Sequence, residues 1–176
     1  WWVMEQQPGP VNWAPHNPAP LPGMARFWAW EAFAHGAECV AWFRWRQAPF
    51  AQEQMHAGML RPDSAPAPAF HEAAEVASEL ADLPEVEAGQ APVALVCDYA
   101  SAWSWAVQPQ GKGLDYFRLV FEIYRGLRKL GQSIDIVAPD CADLGGYNLV
   151  LVPGLEYVPP RLFDAITASG AQAMFG

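Results

Sequence analysis

Apolar and polar residues follow two different periods along the first half of the chain. Short apolar runs or runs alternating with period two predict strands, and apolar residues three and four apart predict helices. The predicted elements are, in order, a strand at 1–6, a loop at 7–22, a helix at 23–36, a strand at 37–46, a loop at 47–63 and a helix at 66–83. This repeated order of strand, long loop and helix is typical of consecutive βα units in a parallel sheet or barrel.

The second half begins after a short acidic stretch bounded by prolines. We predict one domain over 1–83, a linker at 84–91 and a second domain over 92–176. In the second domain the pattern predicts a buried strand at 93–97, an aromatic loop at 99–105, a helix at 114–130, strands at 133–137 and 149–152, a helix at 159–169 and a strand beginning at 172. Alternating strands and helices with buried central strands predict a doubly wound, flavodoxin-like α/β sheet.

The helical patterns also predict which faces are buried. In the first domain the expected inner faces carry Met24, Phe27, Trp28 and Ala32 on one helix and Phe70, Ala73, Ala74, Ala77, Leu80 and Ala81 on the other. In the second domain the inner face of the long helix is predicted to carry Phe117, Val120, Phe121, Tyr124 and Leu127.

Composition and charge narrow the class of protein. An apolar fraction of 52% and a charged fraction of 16% exclude a disordered chain and suit a buried α/β core. The net charge is −9 and there is no basic patch, so nucleic acid and anionic membrane surfaces are not expected as partners. No apolar run reaches the roughly 18 residues that a membrane-spanning helix needs. Since the chain opens and closes within predicted strands, we expect it to be a piece of a longer protein.

The three cysteines, Cys39, Cys97 and Cys141, are isolated and odd in number. None forms a Cys-x-x-Cys motif or a Cys/His pair at metal-ligand spacing, so we expect reduced core residues and no metal site in this chain. Unpaired cysteines indicate a reducing compartment, and we therefore predict a cytoplasmic protein.

Glu5 is the first candidate for chemistry. It is the single carboxylate at the end of an apolar strand, and burying an unpaired carboxylate costs several kcal/mol, so such a group usually has a partner or a function. Catalytic groups of (β/α)8 barrels lie at the carboxyl ends of the strands. The alternative is a structural carboxylate paired with an arginine. The following loop contains Asn12 and Trp13, and seven of the nine tryptophans lie within the first 45 residues. Amides, carboxylates and flat indoles suit a carbohydrate site.

Glu53 and His56 are the second candidates. They lie three residues apart, and one turn of helix would place them on the same face, where a carboxylate and an imidazole can bind adjacent sugar hydroxyls. They would equally suit two zinc ligands, although the sequence shows no further pair, or a solvated salt bridge in a loop. Arg44 and Arg46 are either structural charges or partners of these carboxylates, and the sequence does not separate the two roles.

Several of these motifs together resemble one enzyme family. The carrying motifs are Met4-Glu5-Gln6, Val11-Asn12-Trp13, Pro22-Gly23, Ala34-His35-Gly36-Ala37 and the long run from Phe43-Arg44-Trp45-Arg46 through Glu53-Gln54-Met55-His56 to Gly58. They resemble the C-terminal barrel segment of glycoside hydrolase family 42 β-galactosidases. The resemblance implies the last two βα units of a (β/α)8 TIM barrel, followed by the start of an amidotransferase-like trimerisation domain.

The same resemblance implies roles for individual residues. Glu5 matches the nucleophile of a retaining β-galactosidase, and Trp13, Glu53 and His56 match groups that bind the galactosyl ring. In the family the acid/base glutamate lies on an earlier barrel strand, and the cysteine cluster that binds zinc in some members lies upstream of this segment, so neither is assigned here. The partners implied are a galactoside substrate and, for the full-length protein, two further copies in a homotrimer.

Other functions remain open at this point. The alternative most similar to a β-galactosidase is an α-L-arabinopyranosidase, whose substrate shares the ring stereochemistry of galactose. A noncatalytic sugar-binding or oligomerisation module is another, with the aromatic loop at 99–105 at a subunit contact. An amidotransferase-like enzyme would need a nucleophile and a histidine beyond residue 176. Because general acid catalysis is worth about 10²–10⁴-fold, we also predict that the isolated chain has no useful hydrolase activity.

Overall fold

The computed structural model describes residues 1–84 and 89–176 and shows an α/β fold with parallel sheets. Its elements are β1 (Trp2–Gln6), α1 (Met24–Ala34), β2 (Cys39–Trp42), α2 (Pro68–Asp82), β3 (Val93–Val96), α3 (Tyr99–Val107), α4 (Tyr116–Lys129), β4 (Ile134–Val137), β5 (Leu149–Val152), α5 (Pro160–Ser169) and β6 (Gln172–Phe175). The chain forms two compact units, Trp1–Ala88 and Gly89–Gly176. Half of the predicted linker, residues 85–88, lies outside the described residues.

The first unit contains a two-stranded parallel sheet. Trp2 pairs with Cys39 and Val3 with Val40, and α1 connects the two strands as the crossover helix. Since parallel neighbours require such a crossover, the order of the predicted elements already implied this pairing. The small core of the unit consists of Ala25, Met59 and Ala69, with Trp42, Phe70 and Ala73 packed around it.

The inner face of α1 differs from the prediction. Its buried residues are Ala25 and Ala29, whereas Phe27 is 61% exposed. A face of small residues lets α2 approach closely, and polar side chains of α2 then bind α1. The carboxylate of Glu72 accepts the backbone N–H groups of Gly23 and Arg26, which caps the amino end of α1. In α2 the buried residues are Ala69 and Val76, so the predicted apolar stripe is also displaced.

The second strand of this unit is shorter than predicted. β2 ends at Trp42, and the following residues leave β1 to pair with the end of the long loop. The carbonyl oxygens of Arg44 and Trp45 accept the N–H groups of Met59 and Leu60 at 2.7 and 2.8 Å. The carbonyl groups after Trp42 therefore satisfy N–H groups of the loop rather than of β1. The strand predicted to reach residue 46 consequently ends at residue 42.

The second unit contains a four-stranded parallel sheet in the order β4-β3-β5-β6. The first strand of the unit lies inside the sheet, and the chain winds outward from it in both directions, as in doubly wound α/β folds. α3 and α4 connect β3 to β4, and α5 connects β5 to β6. The predicted parallel α/β arrangement is therefore confirmed at this level.

Both faces of this sheet are covered by packed side chains. On one face Val93, Leu95 and Leu151 pack with residues of α3 and α4. On the other face Ala94, Val96, Val150 and Val152 pack with Leu162, Ala165 and Ile166 of α5. The whole of β3 is buried, which explains why its sequence is a continuous apolar run rather than an alternating one.

The aromatic loop predicted at 99–105 is wrong, because these residues form helix α3. Asp98 is its N-cap: its carboxylate accepts the N–H groups of Ala100 and Ser101 and also the Ser101 hydroxyl. Ser101 and Ala102 are buried, Trp103 is exposed, and Trp105 packs against the core that contains Ala102.

The predicted inner face of α4 is also partly wrong. The buried residues are Tyr116 and Val120, whereas Phe117 and Phe121 are 44% and 57% exposed. Within the described residues, no helix combines the length and the apolar character needed to cross a membrane.

Candidate active site

Glu5 lies on an irregularity of strand β1. Val3 pairs with Val40 and Gln6 with Trp42, so Met4 and Glu5 together oppose the single residue Ala41. This is a β-bulge at the carboxyl end of a parallel strand, a device that redirects side chains and is frequent beside active sites. The carbonyl of Gln6 then accepts the N–H of Phe43 at 3.0 Å, which re-establishes the contact with the segment after β2.

Glu5 and Trp13 line the same open cavity, which has a volume of about 780 Å³. The structure therefore brings these two predicted site residues together. Trp13 is 70% exposed, so the face of its indole is available to a ligand. The sides of the cavity are formed by Trp1, Gln6, Gln7, Val11, Trp28, Glu31, Ala32 and His35.

Only one end of this cavity contains the candidate chemistry. The cavity is lined by residues of β1, of the loop that follows it and of α1, and among the described residues β1 pairs with no strand other than β2. Its far end lies at Trp1 and His35, where the indole N–H of Trp1 donates to the carbonyl of His35. The His35 ring lies 2.8 Å from the carbonyl of Glu31 and closes the end of α1. The chemistry is thus confined to the carboxyl end of β1.

The loop that carries Trp13 is held against the second candidate loop. The N–H of Ala57 donates to the carbonyl of Pro10 at 2.9 Å. At Gly9 an added Cβ would come within 2.6 Å of the Ala57 Cβ, so only glycine allows this approach. The loops that follow β1 and β2 are therefore in direct contact near Glu5.

Glu53 and His56 share one tight turn instead of a turn of helix. The N–H of His56 donates to the carbonyl of Glu53 at 2.9 Å, and Glu53 has a left-handed backbone with φ of 56°. The Glu53 carboxylate lies 3.7 Å from the guanidinium of Arg44 and its side chain is 49% exposed. Arg44 is thus a partner of this carboxylate, one of the two roles that the sequence left open for it, and the exposed part of the carboxylate still has room to accept hydrogen bonds.

His56 is buried, with 1% of its surface exposed. Its ring packs against Phe43 with the centroids 5.2 Å apart, and neither ring nitrogen has a hydrogen-bond partner among the described residues. Leaving a buried polar group without a partner costs about 1–3 kcal/mol. An imidazole placed in this way is a functional candidate, because a polar ligand group that reaches it recovers that cost.

Glu5 thus lies near the end of β1, whereas Trp13, Glu53 and His56 lie in the two contacting loops, and of the four only Glu5 and Trp13 share a cavity. Sequence reasoning missed the bulge at Glu5 and the aromatic support of His56 by Phe43. The bulge depends on strand register, which no local pattern reveals. The role of Phe43 had a weak signal in the sequence, because an aromatic residue directly after a parallel strand lies beside the loops at the carboxyl ends of the strands.

Metal and thiol chemistry have little support in these residues. In the ranges 1–84 and 89–176 no group of three His, Cys, Asp or Glu side chains is arranged to hold a metal ion. The three cysteines are free thiols. Burial raises the pKa of the Cys97 thiol, and the negative charge of Asp98 raises it further, so this thiol stays protonated and is a poor nucleophile.

Two family models match the chain and together cover most of it. Residues 1–83 match the glycoside hydrolase family 42 model described as β-galactosidase, and residues 91–173 match the model of the β-galactosidase trimerisation domain. A β-galactosidase of Thermus thermophilus is 58% identical over 99% of this chain and 27% of the relative. A β-galactosidase of Halorubrum lacusprofundi is 44% identical over 99% of this chain and 25% of the relative.

Solved structures agree with these matches. The crystal structure of a β-galactosidase from the psychrophilic Marinomonas ef1 superposes with a TM-score of 0.89 at 44% identity, over 99% of this chain and 28% of that one. The Halorubrum lacusprofundi enzyme superposes with a TM-score of 0.91 at 42% identity, over 100% of this chain and 27% of that one. The chain spans about a quarter of the length of these relatives. It therefore belongs to the glycoside hydrolase family 42 β-galactosidases, in the region where the family's β-galactosidase model gives way to its trimerisation domain.

Proposed function

We propose that the full-length protein is a retaining β-galactosidase in which Glu5 is the nucleophile. The observation that carries this proposal is the position of Glu5 on a β-bulge at the carboxyl end of a parallel strand, beside the exposed indole of Trp13. Glu5 is exposed and has no ion-pair partner among the described residues, so its carboxylate is open to a ligand. The names of the relatives supply the substrate class.

In this mechanism the Glu5 carboxylate attacks the anomeric carbon and forms a covalent galactosyl ester. A second carboxylic acid, outside this chain and about 5–5.5 Å away, protonates the leaving oxygen and later activates water. The Trp13 indole covers the apolar C–H face of the sugar ring. The exposed oxygen of Glu53 accepts a sugar hydroxyl, and His56 supplies a ring nitrogen to a neighbouring one.

We further propose that the first unit forms the last two βα units of a (β/α)8 barrel and that the second unit is a flavodoxin-like, amidotransferase-like trimerisation domain. The parallel pairing of β1 with β2 and the strand order of the second sheet support this assignment. The full-length protein is then a cytoplasmic homotrimer. Exposed aromatic residues on α3 and α4, among them Tyr99, Trp103 and Phe121, are suited to a subunit contact.

The decisive experiment replaces Glu5 in the full-length protein. Glu5→Gln keeps the shape of the side chain and removes the nucleophile, so kcat on a nitrophenyl β-galactoside is expected to fall by at least about 10³-fold, while galactose still binds. Glu31→Gln is the matched control, because Glu31 lines the same cavity from α1 and has no proposed role.

A second variant identifies the role of the residue. In Glu5→Gly, added azide occupies the space of the lost carboxylate and attacks the anomeric carbon from that face, so the expected product is α-galactosyl azide. The β-anomer would instead identify Glu5 as the acid/base. Activity of Glu5→Gln close to that of Glu31→Gln would contradict any catalytic role and favour a noncatalytic sugar-binding module.

A further inference from the structure

Arg44 makes two contacts to Glu53 from the segment that follows β2. Its Nη2 donates to the backbone carbonyl of Glu53 at 2.7 Å, and its Nη1 lies 3.7 Å from the Glu53 carboxylate. Its own carbonyl accepts the N–H of Met59 at 2.7 Å, so the backbone beneath it is fixed as well. The Arg44 side chain is only 21% exposed.

The turn that Arg44 contacts has an unfavourable backbone conformation. Ala51 and Glu53 have positive φ angles of 75° and 56°, and residues with a Cβ rarely adopt this region. Such conformations persist when surrounding contacts hold them, and they concentrate at functional sites. The carbonyl of Glu53 accepts hydrogen bonds from Arg44 Nη2 and from the N–H of His56. The Arg44 guanidinium therefore stabilises the turn that carries both predicted binding residues.

Arg44 also supports His56 through an aromatic ring. Its guanidinium carbon lies 5.8 Å from the centroid of the Phe43 ring, and the centroid of the His56 ring lies 5.2 Å from the same ring. The position of Arg44 therefore affects the carboxylate of Glu53 directly and the imidazole of His56 through Phe43.

The contacts of Arg44 add little to the stability of the folded state, so stability alone does not explain why its side chain is buried. Its Nε is buried and has no hydrogen-bond partner among the described residues, and its ion-pair partner is half exposed. A buried guanidinium with an unused donor is costly, and an ion pair open to solvent returns little. Arg46 is the contrasting residue, since it is exposed and donates only to the hydroxyl of Ser64 at 3.2 Å.

We propose that Arg44 is a positioning residue, which holds the turn of Glu53 and His56 in the geometry that binds sugar hydroxyls. Arg44 does not touch the substrate, because its two terminal nitrogens are committed to Glu53. This inference rests on the proposed function, in which Glu53 and His56 bind the galactosyl ring. The proposal gives Arg44 a role that Arg46 does not have, whereas the sequence alone did not distinguish the two arginines.

The test uses the full-length protein and measures kcat and KM on a nitrophenyl β-galactoside together with the thermal unfolding midpoint. Arg44→Met is expected to lower kcat/KM by about 10- to 100-fold, the scale of a misplaced binding group. Arg44→Lys recovers part of the loss, since one ammonium cannot make both contacts. Arg46→Met is the matched control and leaves kcat/KM within about twofold of wild type.

A double-mutant cycle with Glu53→Gln distinguishes positioning from general stability. If Arg44 acts partly through the Glu53 carboxylate, Arg44→Met costs less in the Glu53→Gln background than alone, because the loss that passes through the carboxylate is already present there. The loss that passes through the backbone carbonyl of Glu53 remains, so the two losses are less than additive. Additive losses accompanied by a lower unfolding midpoint, or activity equal to that of Arg46→Met, would overturn the proposal. If Arg44→Met does not fold, the same cycle is measured with Arg44→Lys.

Failure of the proposed function gives a different result. In that case the wild-type protein and Arg46→Met do not hydrolyse the galactoside, or Glu5→Gln is as active as wild type. Failure of the Arg44 inference alone leaves the wild type active and the Glu5 variant inactive.

Discussion

At the scale of single residues, the carboxylate and the imidazole that the sequence selected have opposite environments. Glu53 is half exposed on a left-handed backbone, whereas His56 is buried beneath Phe43. Residue type and spacing were sufficient to select both, because few structural roles require these side chains in one short loop. Their environments were not predictable, since they depend on contacts from Arg44 and Phe43 after β2 and on a backbone conformation that no pattern of polarity encodes.

Trp13 offers a prediction at this scale, because its side chain is 70% exposed and therefore contributes little to the stability of the fold. In the full-length protein Trp13→Ala is expected to raise KM for a nitrophenyl β-galactoside about tenfold, which corresponds to roughly 1.4 kcal/mol of lost binding. The free energy of unfolding is expected to change by no more than about 0.5 kcal/mol. Trp45→Ala is the control, since Trp45 is 65% exposed and lies outside the cavity lining. An unchanged KM in Trp13→Ala would remove this residue from the site.

At the scale of elements, strands and helices were predictable where one face is continuously apolar, as in β3, and where glycine ends a helix, as at Gly36 after α1. The errors have a common cause. Helix α3 depends on the cap formed by Asp98, and the inner faces of α1 and α4 depend on which neighbour packs against them. Periodicity gives the type of element, but the partner element decides which side is buried.

The packing of α1 on α2 leads to a prediction about pH. Hydrogen bonds from Arg26 and from the indole of Trp30 hold the pKa of Glu79 below its ordinary value of 4.5. A lowered pKa in the folded state means that the unfolded chain binds the proton first. The stabilising contribution is therefore complete above pH 4.5, and it is lost as the pH falls through the lower pKa of the folded state.

Glu79→Gln tests this link. At neutral pH the variant is expected to unfold at a lower temperature than wild type, and the difference is expected to shrink as the pH falls below 4.5 and to vanish once Glu79 is protonated. Scanning calorimetry of the full-length protein between neutral and acidic pH measures both curves. Glu75→Gln serves as the control, because Glu75 is exposed on the same helix and makes no ion pair with a described residue. A difference that stays constant with pH would show that Glu79 stabilises the helix pair without its charge.

At the scale of the whole molecule, the first unit leaves apolar surface exposed that the proposed barrel would cover. Trp2 and Met4 on β1 are 57% and 70% exposed, and the sheet to which they belong has two strands. A closed barrel has no exposed strand edge, whereas a two-stranded sheet is marginal by itself. The chain spans about a quarter of the length of its relatives, and in the proposed function Glu5 acts together with a second carboxylic acid outside this chain.

The isolated 176-residue chain is therefore expected to be inactive even if it folds. Without the second carboxylic acid the leaving oxygen is not protonated, which costs about 10²–10⁴-fold, and an unsupported β1 does not hold Glu5 against the sugar. A good leaving group reduces the need for the acid, so the comparison between dinitrophenyl and methyl β-galactosides is informative. Residual turnover confined to the dinitrophenyl substrate and abolished by Glu5→Gln would show that the nucleophile works without its partner. Turnover of the methyl galactoside near that of the full-length protein would instead mean that the described residues contain a complete catalytic pair, and the assignment of Glu5 to half of a retaining mechanism would be wrong.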